Sequence, residues 1–346
     1  MAERRMDWYR TALDAGLLRE LTERRDLPGL LQAGAFLLVW MATTSVSLYF
    51  YLERLWIPMV LACYFHSMFL VFLSNGAAVH ELSHGTAFRT KLLNDVFYSL
   101  FSFLSWNNPV HFRASHALHH QNTVQRGVDL EVMQGPVKDK LNGWNLLAWF
   151  TFNPSLFRSW IGVAVLHALG RSDADYYFWK PLFAQHDPRR RAMIRFARIL
   201  VLGHLALVLL FAWLQLWVMI YLVTFGVFFA GFLDAFCGAL QHTGLSESTP
   251  DWRVVCHTVH FGPFMRFLYW NMNYHIEHHM FAAVPFWRLP RLHALVSHDY
   301  PVPHRSFLAG IRKLYEIRRE QAKDPSYVFV PDFPATAAPV RWKGRP

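Results

Sequence analysis

The fold is decided by two neighbouring apolar runs, AGAFLLVWMATTSVSLYFYL at residues 33–52 and IPMVLACYFHSMFLVFLSN at residues 57–75. A helix needs about 20 consecutive apolar residues to cross the hydrocarbon core of a bilayer, so each run predicts one membrane span. Glu53, Arg54 and a few neighbours are all that separates the runs. The two spans are therefore expected to form a tight helical hairpin.

A second hairpin is expected in residues 199–238, which are long enough for two spans and contain Asp234 as their only acid. We predict spans at 199–217 and 219–238. The sequence thus indicates an all-α integral membrane protein with four transmembrane helices in two hairpins. Residues 1–330 are expected to form one domain, and the proline-rich residues 331–346 an extended or disordered tail.

The basic residues predict the orientation in the membrane. Of the 34 lysines and arginines, only Arg54 lies in a turn between two predicted spans. The positive-inside rule then places both termini and the long segment at 76–198 in the cytoplasm, in a multi-pass topology. The net charge of +10 is expected of a surface that faces anionic lipid headgroups, and we predict no nucleic-acid partner.

The 19 histidines include three clusters outside the predicted spans. These are His80 and His84 in HELSH, His116, His119 and His120 in HALHH, and His275, His278 and His279 in HIEHH. Residues spaced i, i+3 and i+4 share one face of a helix, so the imidazoles of each cluster can converge on a metal. Imidazole is the commonest metal ligand in proteins, and the clusters predict metal binding on the cytoplasmic side.

Read alone, HELSH matches the H-E-x-x-H signature of a zinc protease, in which Glu81 would be the catalytic base. One zinc accepts about four ligands, which would leave most of the clustered histidines without a role. Eight neutral histidines favour a pair of redox metals, most simply iron, with oxygen chemistry as the purpose. An intramembrane zinc protease and a metal carrier without catalysis remain as alternatives.

In their order and topology, HELSH, HALHH and NYHIEHHMF resemble the three histidine boxes of the membrane fatty acid desaturase and hydroxylase superfamily. The resemblance covers about residues 30–295. It implies a cytoplasmic helical cap that holds the boxes, and two non-haem irons bound by the eight box histidines. It also implies O2 as co-substrate and an outside electron donor of the ferredoxin, rubredoxin or cytochrome b5 type.

The resemblance adds His242, in LQHTGL, as a ninth iron ligand. Gly238 stands where the acyl-CoA branch of the superfamily has an asparagine that holds a water near the metal. The first box also has three residues between its histidines, where that branch has four. These departures put the water-mediated ligand in doubt.

Metal-bound histidines usually donate their other N–H to a carboxylate or a carbonyl. Glu81, Glu277, Asp129 and Asp234 are the carboxylates we expect in that role, and Glu131 also lies nearby in sequence. Arg288 and Arg291 are candidates for binding a substrate headgroup. Trp270, Phe281, Phe286 and Trp287 are expected to line a substrate tunnel or to anchor the cap at the membrane surface.

The resulting prediction is an oxygen-dependent di-iron membrane oxidoreductase that desaturates an acyl chain supplied by a membrane lipid or a carrier. Hydroxylation of an alkyl or acyl chain, or of a small non-lipid substrate, is the near alternative.

Overall fold

The computed structural model describes residues 6–125, 128–129, 131–132, 143–171, 182–247 and 249–342. These residues form helices, and their β-structure is limited to three isolated bridges, Phe152 with Phe229, Thr258 with Tyr274, and Val259 with His304. The α-helices are α1 (Ala15–Leu21), α2 (Asp26–Leu52), α3 (Trp56–Leu70), α4 (Ala78–Ser83), α5 (Lys91–Leu104), α6 (Pro109–Gln121), α7 (Gly143–Phe150), α8 (Pro154–Ala168), α9 (Pro188–Trp213), α10 (Trp217–Ile220), α11 (Phe232–His242), α12 (Pro263–Leu268), α13 (His275–Met280), α14 (Leu289–Val296) and α15 (Phe307–Lys323).

Three helical segments of the described chain are long and apolar enough to cross a membrane: Ala15–Leu52, Trp56–Ser83 and Pro188–Trp213. Their outer faces expose large apolar side chains, among them Leu38, Ile57, Leu202 and Leu209. Such continuous apolar surfaces are typical of helices that contact lipid. The prediction of an all-α membrane protein is therefore confirmed at this level.

The helices extend beyond the predicted spans. α9 begins eleven residues before the predicted start at 199, because Asp187 caps its first turn through the backbone N–H of Arg189 and Pro188 suits the first helical position. It ends at Trp213, and Gln215 turns the chain with a φ of 57°. α3 continues through a 3-10 turn toward α4, so that the second apolar run leads directly into HELSH.

The fourth predicted span, 219–238, is not one continuous helix. Helical turns cover Trp217–Phe228, the chain then breaks, and α11 begins at Phe232. At the break Ala230 has a φ of 50°, its N–H donates to the carbonyl of Thr151, and Asn153 N–H donates to the carbonyl of Phe228. These bonds satisfy backbone groups that lipid would leave unpaired, so the break is stable where it is buried in protein.

Two main groups of buried side chains hold the molecule together. One joins the membrane helices to α4, α5 and α11, with Phe36, Phe72 and Phe101 fully buried at its centre. The other lies among α13, α14 and the loop before α12. The short helix α1 buries Leu21 in this second group.

The described part of the tail, 331–342, contains no helix and packs on the second group through Phe333, Val340 and Trp342.

Candidate metal centre

The helices bring all nine histidines predicted as ligands into one buried region. His80 lies on α4 and His84 caps its C-terminus, while His116, His119 and His120 lie on α6. His242 is the last residue of α11, and α13 carries His275, His278 and His279. On α6 and α13 the i, i+3, i+4 spacing places the three imidazoles on one face, as the pattern predicts.

The histidines form two groups, within each of which one possible ligand atom per residue lies within 4.8 Å of the others. The first group has five members, His80, His84, His116, His120 and His278. Its Nε2 atoms are closely spaced, at 3.0 Å between His80 and His278, 3.0 Å between His84 and His116, and 3.1 Å between His116 and His120. Every one of the three sequence clusters contributes to this group.

The second group has four members, His119, His242, His275 and His279. The Nε2 of His275 lies 3.0 Å from that of His242 and 3.1 Å from that of His279. The imidazoles of His119 and His120 belong to different groups, although the residues are adjacent in sequence. Because the two groups share α6 and α13, two ions bound in them would be neighbours.

Hydrogen bonds at Nδ1 determine which ring nitrogens carry lone pairs. His242 Nδ1 lies 2.8 Å from the carbonyl of Val255, and His119 Nδ1 lies 2.9 Å from Asp129. His116 Nδ1 lies 2.8 Å from Glu131. Carbonyls and carboxylates accept, so these Nδ1 atoms donate and the Nε2 atoms turn lone pairs toward one another. Converging lone pairs in a buried site favour a bound cation.

The spacing between the Nε2 atoms fits octahedral coordination better than tetrahedral coordination. Two nitrogens at right angles around an ion, each about 2.1 Å from it, are about 3.0 Å apart, whereas a tetrahedral angle separates them by about 3.4 Å. The observed separations are 3.0–3.1 Å. Zinc with histidine ligands is almost always tetrahedral in structural sites, so the residues fit a metal such as iron more closely.

Burial keeps most of these imidazoles neutral, which metal binding requires. It lowers the pKa of His84 and of His242 to about 3. Burial, with the repulsion of neighbouring imidazoles, also holds the pKa well below its ordinary value for His116, His120, His275, His278 and His279. His119 differs: burial lowers its pKa, but the Asp129 carboxylate outweighs burial and raises it.

The carboxylates predicted as partners of the histidines lie in different places. Asp129 is fully buried beside His119, and it also accepts the backbone N–H groups of Val124 and Glu131. In the sequence, Glu131 stands out only because it lies near the histidine clusters. In the structure it accepts a hydrogen bond from His116 Nδ1. Burial raises the pKa of Glu131 to about 7.

Glu81 has one oxygen bound by Thr86 and by the backbone N–H of Phe286, and its other oxygen lies 3.8 Å from His278 Nδ1. Glu277 instead contacts Thr258 and His293, neither of which belongs to the two groups. It follows His275 by two positions, which is the opposite face of a helix. The Asp234 carboxylate lies against Gly76, away from the histidine hydrogen bonds.

The remaining predicted residues are engaged elsewhere. Arg291 pairs with Glu20 and Arg288 with Glu23, so both arginines contact the N-terminal segment. Trp270 and Phe286 are buried side chains that pack against each other. Both side chains belong to the buried core that joins the membrane helices to α4, α5 and α11. Sequence reasoning missed the Val255 carbonyl and Thr123, whose hydroxyl lies 3.2 Å from His279 Nδ1.

A chamber of about 370 Å³ adjoins the histidines. Its wall includes His80 from the first group and His119 from the second, together with Phe112, Trp149 and Trp160. The break at Phe228–Gly231 forms part of another side. Since one member of each group faces the chamber, a molecule bound there would meet both metal positions.

A second cavity of about 720 Å³ adjoins the same histidines. Its wall includes His84, His116, His120 and His279, and residues of the N-terminal segment from Met6 to Arg10. The metal positions therefore have two approaches, lined by different members of the two groups.

Comparisons with known proteins agree with this geometry. The model of the fatty acid desaturase family matches residues 54–308, which contain all nine histidines. A protein of Oryza sativa subsp. japonica described as "Sphingolipid delta(4)-desaturase DES1-like" is 25% identical over 256 residues. The match covers 71% of this chain and 66% of the relative, slightly less than two thirds of its length. The chain belongs to the fatty acid desaturase family.

Proposed function

We propose that this chain uses O2 and a pair of non-haem irons to desaturate an alkyl or acyl chain. The observation that carries the proposal is the convergence of nine buried histidines in two groups beside one chamber. Five would hold one iron and four the other. When bound, the iron pair would activate O2 for removal of hydrogen from an unactivated C–H bond.

The protein's own side chains would prepare the site in three ways. Asp129 and Glu131 fix the tautomers of His119 and His116, so that Nε2 is free for the metal. Phe112, Trp149 and Trp160 would hold an alkyl chain and exclude water from the chamber. Buried hydrogen bonds and packing would keep these groups in place as the substrate enters.

The net reaction requires an electron donor. A saturated –CH2–CH2– unit, one O2, two electrons and two protons give –CH=CH– and two waters. We propose that a ferredoxin, rubredoxin or cytochrome b5 type of protein supplies the electrons from the cytoplasm. The cavity next to His84, His120 and the N-terminal segment supports an approach from this side.

We also propose how the chain crosses the membrane. With α10 and α11 together as a broken fourth span, the chain would cross the membrane four times in two hairpins. Both termini and the metal centre would be cytoplasmic, and α4–α6 and α12–α15 would contribute to the cap. The distribution of arginine and lysine supports this orientation.

The substrate class is proposed from the family and from the relative's name. Acyl lipids are the substrates that the family name indicates, and the rice relative's name adds a sphingolipid as a candidate. A hydroxylase would use the same site and differ in adding one oxygen atom. A zinc protease is disfavoured because one Glu81 oxygen is already bound by Thr86 and Phe286 N–H, and because the first group holds five histidines, more than the four ligands that a tetrahedral zinc accepts.

Lipid and metabolite mass spectrometry of cells that express the chain tests the proposal. The wild-type protein should yield a product lighter by two hydrogens, and His278→Ala should abolish it. His298→Ala, which changes an exposed histidine outside both groups, is the matched control. A product heavier by one oxygen would favour hydroxylation. Equal products with His278→Ala and wild type would contradict a role for the metal centre.

A further inference from the structure

A third cavity, a groove of about 640 Å³, lies between α3, α10 and the end of α7. Among the described residues, its wall includes no charged side chain. Four lining residues carry hydroxyls, and each hydroxyl is already within hydrogen-bond distance of another group of the protein: Tyr51, Tyr64, Thr151 and Tyr221. The groove therefore suits an alkyl chain and not a charged or hydrogen-bonding headgroup.

The groove opens at the outer surface of the apolar helices. Val60 and Trp217 belong to its wall and are 59% and 58% exposed. Val60 lies in the segment Trp56–Ser83, which is long and apolar enough to cross a membrane, and Trp217 begins the shorter apolar helix Trp217–Phe228. Apolar side chains exposed on such helices contact lipid chains, so in the proposed topology the groove opens to the hydrocarbon core of the bilayer.

One pair of aromatic rings lies between the groove and the chamber beside the histidines. Phe152 and Phe229 line the groove, while their neighbours in sequence, Asn153 and Phe228, line the chamber. The two phenylalanines face each other in an isolated antiparallel bridge, with ring centroids 5.0 Å apart. The two cavities are thus separated by the thickness of this pair.

The backbone at the pair is fixed, whereas the rings are free of polar contacts. Asn153 N–H donates to the carbonyl of Phe228, and Ala230 N–H donates to the carbonyl of Thr151, each at 2.9 Å. Both phenylalanines are only partly buried. Side-chain rotation is much faster than rearrangement of a hydrogen-bonded backbone, so ring rotation alone can join the two cavities.

From this geometry we infer that the alkyl chain of the substrate enters the chamber from the bilayer, through the groove and between Phe152 and Phe229. The inference rests on the proposed function and specifies the form in which the substrate arrives. The substrate is a lipid dissolved in the membrane, and a chain held by a soluble, charged carrier does not use this route.

Photocrosslinking in vesicles tests the route without turnover. The purified protein is placed in phosphatidylcholine vesicles that contain hexadecane with a photoreactive diazirine at mid-chain, and no electron donor is added. After illumination, peptide mass spectrometry locates the adducts. Wild-type protein should carry adducts in the groove, at residues 59–64, and in the chamber, at Trp149 or Trp160.

Variants of the ring pair change the ratio of chamber adducts to groove adducts. Phe152→Ala or Phe229→Ala should raise this ratio, and Phe152→Trp or Phe229→Trp should lower it, by about fivefold or more in each direction, because bulk at a closed contact is costly. Phe264→Ala, which changes an exposed ring on α12 outside both cavities, should leave the ratio unchanged. Size-exclusion chromatography checks folding, and the series at either position is sufficient.

The outcomes separate the inference from the proposed function. Adducts confined to one cavity, adducts in neither, or a ratio that ignores both rings would overturn the inference, even in a protein that holds iron and desaturates a lipid. Equal chamber labelling by the same chain added in water as a coenzyme A thioester, without groove adducts, would also overturn it. Ring-dependent chamber labelling in a protein that binds no iron would contradict the proposed function and leave the inference standing.

Discussion

Asp129 is the side chain on which the second histidine group most depends. It is fully buried, holds His119 through Nδ1 and is itself fixed by two backbone N–H groups. Asp129→Asn should lower iron affinity about 10- to 100-fold, the usual effect of losing a carboxylate partner of a ligating histidine. Iron content after dialysis against a chelator measures this, with Asp324→Asn as control. Undiminished iron retention would contradict the role of Asp129.

Buried neutral histidines predict that the metal-free protein loses stability in acid. The pKa values of His84, His242 and His257 are about 3 because of burial, whereas an unfolded histidine titrates near 6.5. Below pH 6.5 the unfolded chain takes up protons that the folded chain refuses, so the free energy of unfolding falls as pH drops from 6.5 toward 3. His119, with its raised pKa, opposes this trend.

Between pH 6.5 and 3, each such histidine should lower the free energy of unfolding by about 1 kcal/mol for each pH unit. Thermal unfolding of the metal-free protein in detergent at pH 7.5, 6.5 and 5.5 should give a small change over the first step and a clear decrease over the second. Iron-loaded protein should show at least as steep a dependence, because bound metal keeps the histidines of the folded state free of protons while the unfolded chain still takes them up. A metal-free protein equally stable at pH 7.5 and 5.5 would contradict the burial argument.

The sequence predicted which histidines converge, because two clusters with i, i+3, i+4 spacing and one with i, i+4 spacing leave little freedom once each lies on a helix. It predicted their partners less well. Asp129 and Glu131 both contact a ligand, yet Glu277 lies on the far face of α13 and contacts His293. The Val255 carbonyl has no signal in the sequence, because any residue at that position carries one.

The break between α10 and α11 is the element that hydropathy did not predict. Residues 219–238 are apolar throughout except for Asp234, so a hydropathy profile gives one span. The break depends on hydrogen bonds from Ala230 and Asn153 to residues far away in sequence, which no local pattern records. Because of the break, α11 starts as a new helix. It places Asp234 in the wall of the chamber and His242 in the second histidine group.

Ala230 tests this element directly. Its φ of 50° is a left-handed conformation that favours glycine, so Ala230→Gly should raise stability by up to about 1 kcal/mol. Ala230→Val, at a fully buried site, should lower it by about 2 kcal/mol. Ala239→Gly within α11 is the matched control and should lower stability by about 1 kcal/mol. If thermal unfolding shows that Ala230→Gly lowers stability as much as Ala239→Gly does, the observed break is contradicted.

Arg253 joins the N-terminal segment and the C-terminal tail to the second group of buried side chains. Its guanidinium is fully buried, pairs with Asp251 and Asp299, and donates to the carbonyl of Ala338. It also stacks on the ring of Tyr9, at 3.8 Å from the ring centroid. Arg253 thus contacts both the N-terminal segment, which forms part of the larger cavity, and the tail.

Arg253→Met should therefore destabilise the whole molecule by about 3 kcal/mol or more, because Asp251 and Asp299 would be left buried without their partner. Limited proteolysis should cleave both terminal segments earlier than in wild type, with Arg312→Met on α15 as control for the loss of a positive charge. Unchanged cleavage at both ends would show that the segments are held by other contacts.

At the scale of the whole molecule, composition and run length predicted the class of protein, because the long apolar runs form helices long enough to cross a membrane. They did not predict how the terminal segments pack. The tail is proline-rich, which is typical of disorder, yet both the tail and α1 contribute side chains to the second group of buried side chains. That packing depends on Arg253 and Asp299, whose pairing is long-range.

The central claim is that nine histidines bind two irons, and metal analysis tests it most directly. Protein expressed with iron and purified in detergent should contain about two irons per chain by mass spectrometry of the metals. His275→Ala and His278→Ala, one in each group, should each reduce the iron content, while His298→Ala should not. About one zinc per chain with little iron, unchanged by His278→Ala, would contradict the account.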